Sequence, residues 1–179
     1  MIPNIPLRTT NVVRGIVQIE DGRPTVSPPP IARAEQPTTL TEDDMFSTLD
    51  KLRPGTSERL IAFLVECEDL QVSWEVKKTL IIRMVVGAYR IPVFVVATNG
   101  TVDMGYASGF KEVCRGFARK VAESTPGAEF KESAKACYAK GGDGRYLTIW
   151  DLLDHKEGIR SALETLNETL RLADSASSS

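Results

Sequence analysis

The sequence predicts an α+β domain: a small antiparallel β-meander packed against three or four helices, with an extended N-terminal tail. Three observations predict it. Val72, Trp74 and Val76 alternate with Ser73, Glu75 and Lys77, which is the period of a half-buried strand. Thr79–Val86 and Ile91–Thr98 are rich in β-branched residues and are joined by Gly87-Ala-Tyr-Arg90, which reads as a hairpin. On both sides of these strands, apolar residues recur three and four apart, the period of a helix that buries one face.

In chain order, residues 1–40 read as a proline-rich tail or linker. They include Pro28-Pro29-Pro30, hold no aromatic residue and contain one short strand, Val12–Ile19, before the turn Glu20-Asp21-Gly22. A single domain is expected over 41–173 and a disordered tail over 174–179. Thr41-Glu-Asp-Asp44 is a capping-box variant with acids in the first turn. The helix it opens runs to about Leu52, with Met45, Phe46, Leu49 and Leu52 on one face. Pro54-Gly55 breaks the chain. Ser57 to Glu68 is a second helix, with Leu60, Ile61, Phe63, Leu64 and Cys67 toward the core.

In the strands that follow, Pro92 calls for an edge position, because proline cannot donate to a ladder. Asn99-Gly100 reads as a two-residue hairpin turn leading to a strand at Thr101–Met104. Tyr106 to Ser124 is the clearest helix, burying Phe110, Val113, Cys114, Phe117 and Val121, with Lys111, Arg115 and Arg119 on the opposite flank. Ala134–Ala139 and Tyr146–Ile149 read as a hairpin around Gly141-Gly-Asp-Gly144, with a helix over Ala128–Ala139 as the alternative. The last helix spans Asp151 to Leu172, with a break near Gly158.

The residues bearing on chemistry are few. The chain has 179 residues, with 42% hydrophobic and 26% charged, and a net charge of −2 that argues against binding driven by bulk positive charge. Cys67, Cys114 and Cys137 are widely spaced in apolar patterns and read as reduced core thiols. The first residues lack an apolar h-region, and Arg83 and Arg90 interrupt the longest apolar run, so a cytoplasmic chain with no membrane span is expected. The sequons at Asn99 and Asn167 read as chance matches, one in a turn and one in a helix. His155 reads as a solvated helix residue, since no nucleophile or second ligand is placed beside it. Gly141-Gly-Asp-Gly144 reads as a turn and not as a phosphate loop. Gly105-Tyr-Ala-Ser108-Gly109 differs from a nucleophile elbow by one position in its serine. Glu75-Val-Lys77 resembles the E-x-K of metal-dependent nucleases, which need a second carboxylate on a neighbouring strand; Asp69 is placed in a turn instead.

Charge is unevenly spread. From Glu42 to Glu75 there are nine acids and three bases, a net of −6; from Lys77 to Arg145 there are twelve bases and six acids, a net of +6. One reading is a basic face for nucleic acid, formed by Lys77, Lys78, Arg83, Lys111, Arg115 and Arg119, with Trp74, Tyr89 and Tyr106 as stacking surfaces. The favoured reading is mutual pairing, the acidic helices packing beside the basic sheet.

The order of five segments resembles a known family. They are Leu40-Thr-Glu-Asp-Asp-Met-Phe46, Glu58-Arg-Leu-Ile-Ala-Phe-Leu-Val-Glu-Cys-Glu68, Glu75-Val-Lys-Lys-Thr-Leu-Ile-Ile-Arg83, Asn99-Gly-Thr-Val-Asp-Met-Gly-Tyr106 and Leu147-Thr-Ile-Trp-Asp-Leu-Leu-Asp-His155. Over roughly residues 40–170 this resembles the C-terminal domain of uncharacterised bacterial proteins, some of which carry a restriction-like nuclease-type domain upstream. The resemblance implies an accessory or recognition module and carries over no active site; the residues before Leu40 leave no room for the nuclease-type domain. The function expected is therefore a non-catalytic accessory or protein-interaction domain without a cofactor or metal, acting on a protein partner or a neighbouring domain. A nucleic-acid-binding module and a metal-dependent nuclease are the alternatives.

Overall fold

The computed structural model describes residues 17–20, 23–26, 40–104 and 110–177. The chain divides into two units, Met1–Pro37 and Thr38–Ser179. In the first, β1 (Val17–Glu20) pairs antiparallel with β2 (Arg23–Val26). Only the first of these strands was expected. Arg23–Val26 lies directly after the turn residues and carries Thr25 and Val26, so it folds back as a partner. The start of the expected strand and the segment containing Pro28-Pro29-Pro30 lie outside the described residues.

In the second unit, α1 (Glu42–Leu52) opens with the expected capping box. Thr41 Oγ1 accepts from the Asp44 amide at 3.1 Å, and the Thr41 amide donates back to Asp44 Oδ2 at 3.4 Å. A cap of this kind contributes about 1 kcal/mol. Gly55, at φ +77, turns the chain into α2 (Thr56–Glu66), and a short 3₁₀ turn, Glu68–Leu70, leads to the sheet.

The sheet is antiparallel. Its strands are β3 (Val72–Val76), β4 (Leu80–Val86), β5 (Tyr89–Val96), β6 (Thr101–Asp103) and β9 (Leu147–Thr148), in the order β3-β4-β5-β6-β9. Leu80, Ile82, Met84 and Val86 of β4 are buried, and the residues between them are half-exposed, so one face meets the core. A bulge at Pro92 keeps β5 in phase with this pattern. Met84 faces Ile91 and Arg83 faces Pro92, but Ile82 faces Phe94, so Val93 is the extra residue. Val95 and Val96 alone of β5 pair with β6, so Pro92 sits at a local edge where its missing N–H breaks no ladder.

Two turns differ from their sequence reading. Gly87 and Ala88 alone join β4 to β5, because Val86 pairs with Tyr89. The Asn99-Gly100 turn has three residues, since the Ala97 amide donates to Thr101 O at 2.9 Å. Gly100 takes φ +81, the left-handed position that closes such loops. A Cβ there would lie 2.6 Å from Trp150 Cη2, so the indole fixes this glycine as well.

The expected hairpin around Gly141-Gly-Asp-Gly144 is replaced by another pairing. β7 (Ala128–Glu132) pairs with β8 (Cys137–Gly141), and β9 joins the main sheet beside β6. Ser133 closes the β7–β8 turn: its amide donates to Ala136 O at 2.8 Å and its Oγ accepts from the Ala136 amide at 3.0 Å. Val102 and Leu147 then bury each other across β6 and β9.

α3 (Lys111–Ser124), α4 (Ile149–Asp154) and α5 (Lys156–Ser177) complete the unit. Phe117 of α3 packs on Phe94 of β5 with ring centroids 5.5 Å apart. α5 buries Ile159, Ala162, Leu163, Leu166, Asn167 and Leu170, the spacing of one helix face. Asn167, the second sequon residue, is 4% exposed, and its Nδ2 donates to Leu70 O at 2.8 Å. The break expected near Gly158 falls at His155, the C-cap of α4. Gly158 lies inside α5, where a Cβ would come within 2.4 Å of Ser124 Cβ. The C-terminal tail expected from residue 174 is helical through Ser177; Ser175 Oγ donates to Arg171 O at 2.9 Å, and Asp174 Oδ1 accepts from the Ala88 amide at 3.3 Å. Among the described residues no helix is long and apolar enough to cross a membrane.

Candidate functional site

Five of the six basic residues fall into separate local contacts. Glu75 Oε1 takes Lys77 Nζ at 3.1 Å and is bridged by the Arg83 guanidinium. Arg83 and Lys77 hold the Glu75 carboxyl well below the usual range, at about 2. Glu132 Oε1 takes Lys111 Nζ and Arg115 Nη2, both at 2.9 Å, and Arg115 also pairs with Glu112. Arg115 and then Lys111 hold the Glu132 carboxyl at about 2. Arg119 stacks its guanidinium over the Phe130 ring, 5.3 Å from the centroid. The α3 bases thus meet the β7–β8 hairpin, and Lys78 is exposed. Trp74 and Tyr89 pack against the core, Tyr89 edge-on to Phe110; Tyr106 and the 105–109 segment lie outside the described residues.

The expected mutual pairing of the acidic and basic blocks is not what the described ion pairs show, because acids of the acidic block pair with the last helix instead. The acids of α2 and the 3₁₀ turn meet the last helix: Lys156 Nζ lies 2.8 Å from Glu66 Oε1, and Arg160 Nη2 lies 2.7 Å from Asp69 Oδ2. Arg53 and Arg59 both reach Asp154, at 3.3 and 2.8 Å. Glu75 alone joins the acidic block to the sheet bases among the described ion pairs.

These contacts decide the motifs. Glu75 faces two cations, and Asp69 is engaged by Arg160, so the two carboxylates do not share a site. Among the described residues, no group of three or more His, Cys, Asp and Glu side chains is placed to hold a metal. His155 lines a depression of about 370 Å³ with Ser124 and Asp154. Asp154 is committed to the two arginines, and no hydrogen bond joins Ser124 to His155 among the described residues. Cys67, Cys114 and Cys137 are free and buried; burial pushes the thiols of Cys67 and Cys114 up to about 11 and 12, which leaves them unreactive.

Two surface features remain. One is a cleft of about 410 Å³ between the turn after α3, the Gly141-Gly-Asp-Gly144 turn and residues 145–151. The amides of Gly141, Gly142 and Gly144 donate to Arg145 O, Gly127 O and Gly141 O, so this turn offers a phosphate few free donors. The sequence singled out the turn but neither Thr125 nor Tyr146. The far wall is held by a second capping box, Thr148-x-x-Asp151, which the sequence reading did not single out. The other feature is the outer face of α2. Leu60, Phe63, Leu64 and Cys67 are buried, while Ile61, Ala62 and Val65 are exposed, Ile61 at 38% and Val65 at 52%. Ile61 was expected in the core. It lies about 100° around the helix from Leu60, which places it on the outer stripe. No protein-family model, curated protein or solved structure matches this chain.

Proposed function

We propose that this chain is a non-catalytic accessory module that binds a protein partner through the outer face of α2. One observation carries the reading: α2 is apolar on both sides, with Ile61, Ala62 and Val65 exposed behind a fully packed core face. Apolar residues clustered on the solvent side of a helix often mark a contact surface. Glu58 and Glu68 are exposed on this part of the chain, while Glu66 and Asp69 are taken up by Lys156 and Arg160. The partner of the stripe is therefore an apolar strip bordered by lysine or arginine. An accessory role beside another domain is also what the resemblance to the bacterial C-terminal domains implies. The nucleic-acid reading is disfavoured because Lys77, Arg83, Lys111 and Arg115 sit on carboxylates. The nuclease reading is disfavoured because Glu75 faces cations.

The test uses designed amphipathic helical peptides, one of leucine and lysine and one of leucine and glutamate, titrated into the protein by fluorescence anisotropy. The basic peptide should bind, and Ile61→Gln/Val65→Gln should weaken it at least tenfold. Equal binding of both peptides, or binding indifferent to the double variant, would sink the proposal.

A further inference from the structure

We infer that the cleft under the α3–β7 turn is a binding site for a neutral, hydroxyl-rich ligand of the saccharide class. The first observation is Thr125. The residue lines the cleft and is 3% exposed, and its Oγ1 is buried without a hydrogen-bond partner. Such hydroxyls are rarely left unpaired, because burial removes water and returns nothing. A rotation of the Thr125 side chain toward the cleft would let a ligand hydroxyl supply the missing donor or acceptor.

The second observation is the chemistry of the other walls. Asp151 uses Oδ2 for the Thr148 amide at 2.7 Å and the Thr148 hydroxyl at 2.8 Å, which leaves Oδ1 as an acceptor. The Arg145 side chain is 85% exposed and pairs through Nε with Asp143, so its terminal nitrogens are available donors. Tyr146 is 55% exposed, with Lys140 Nζ 4.8 Å from its ring centroid. One arginine stands against two aspartates, so the site has no excess of positive charge for a phosphate or a carboxylate. An aromatic platform with donors and acceptors beside it fits a ring that has an apolar face and a hydroxyl edge.

The third observation is rigidity. The Gly142 amide donates to Gly127 O at 2.6 Å, joining the two turns across the back of the cleft. A Cβ on Gly142 would lie 3.2 Å from that oxygen, a tight contact that glycine avoids. The walls are held before any ligand arrives, which lowers the ordering cost of binding.

The experiment is a heteronuclear NMR titration of the full chain with glucose, N-acetylglucosamine and a matching oligosaccharide of each, with inorganic phosphate as the anionic control. At least one sugar should shift the amides of Gly127, Gly142 and Tyr146, and phosphate should not. Tighter binding of the oligosaccharide would identify a polymer as the source of the ligand, and equal binding a free sugar. Thr125→Val should weaken binding about tenfold, equal to about 1.4 kcal/mol, without lowering the melting temperature. Tyr146→Ala, at an exposed position, should weaken it as well. Absence of sugar shifts, the same shifts with phosphate, or a Thr125→Val variant that melts lower yet binds equally would overturn the assignment.

Discussion

Replacing Glu132 by glutamine should turn a neutralised surface into a cationic one. Lys111 Nζ and Arg115 Nη2 both lie 2.9 Å from Glu132 Oε1. Glutamine keeps the shape of the side chain and removes its charge, so Lys111 loses its anion and Arg115 keeps only the exposed Glu112. If both then reach phosphates, the slope of log Kobs against log salt steepens by about 1.8, at roughly 0.9 per contact. Across a tenfold range of salt this is about a 60-fold additional loss of affinity. The assay is fluorescence anisotropy with a short labelled duplex over a salt series. The wild type should bind weakly at micromolar protein, with a shallow slope, and Glu132→Gln should bind more tightly at low salt, with a steeper slope. Glu75→Gln, which releases Lys77 and Arg83, is an independent repeat at the sheet. An unchanged slope in both variants would refute the reasoning. So would a wild type that already binds steeply, because the bases would then never have been held by these carboxylates.

The same two carboxyls predict a pH response. Each sits at about 2 in the folded protein, against an ordinary value of 4.5. A pKa lowered by folding gives stability that is complete above the unfolded value and is lost as pH falls toward the folded one. The urea midpoint should therefore drop between about pH 4.5 and about 2, and more shallowly in the Glu75→Gln/Glu132→Gln protein; parallel curves would assign the acid sensitivity to other groups. Phe94→Ala empties a site that is 1% exposed and packed on Phe117. It should cost about 3–5 kcal/mol in urea unfolding, and a loss below about 1 kcal/mol would mean that the ring is not a core anchor. Gly158→Ala places a methyl 2.4 Å from Ser124 Cβ and should cost about 1–3 kcal/mol through overpacking. Adding Ser124→Gly should recover part of that loss, and strict additivity in the double-mutant cycle would argue against the contact.

Most of the fold was legible because it is written in local periodicity. The alternation of Val72, Trp74 and Val76, the β-branched runs before and after Gly87, and the Thr41 capping box each specify their element within a few residues. What failed depended on distant partners. Phe130 and Cys137 belong to strands, but the alternation of Ala128 and Phe130 with Glu129 and Lys131 spans only four residues, and the pairing with β8 rests on a turn tied by Ser133. Leu147 looked like the second arm of a glycine hairpin. Its burial against Val102 decides otherwise, and Val102 lies on a strand far away in sequence. The helical end at Ser177 was missed for a related reason, since polar small residues read as a tail until Asp174 is seen to meet the Ala88 amide.

The site was less legible, and α2 shows why. Leu60, Ile61, Phe63, Leu64, Val65 and Cys67 offer more apolar positions than one face can hold, so spacing alone cannot separate Ile61 from Leu64. What separates them is which side of the helix the rest of the molecule covers. The side that bears Arg59 and Glu66 is drawn down by Asp154 and Lys156, and the stripe of Ile61 and Val65 is turned outward. The basic residues followed the same logic in reverse. Lys111, Arg115 and Arg119 have the spacing of an open cationic flank, yet Glu132 and Phe130 arrive from β7 to cover it. Charge pattern therefore marked the surface whose electrostatics matter, and tertiary pairing set its sign. In this chain, that pairing neutralises much of the basic sheet and helix and leaves an apolar stripe and a polar cleft as the proposed recognition surfaces.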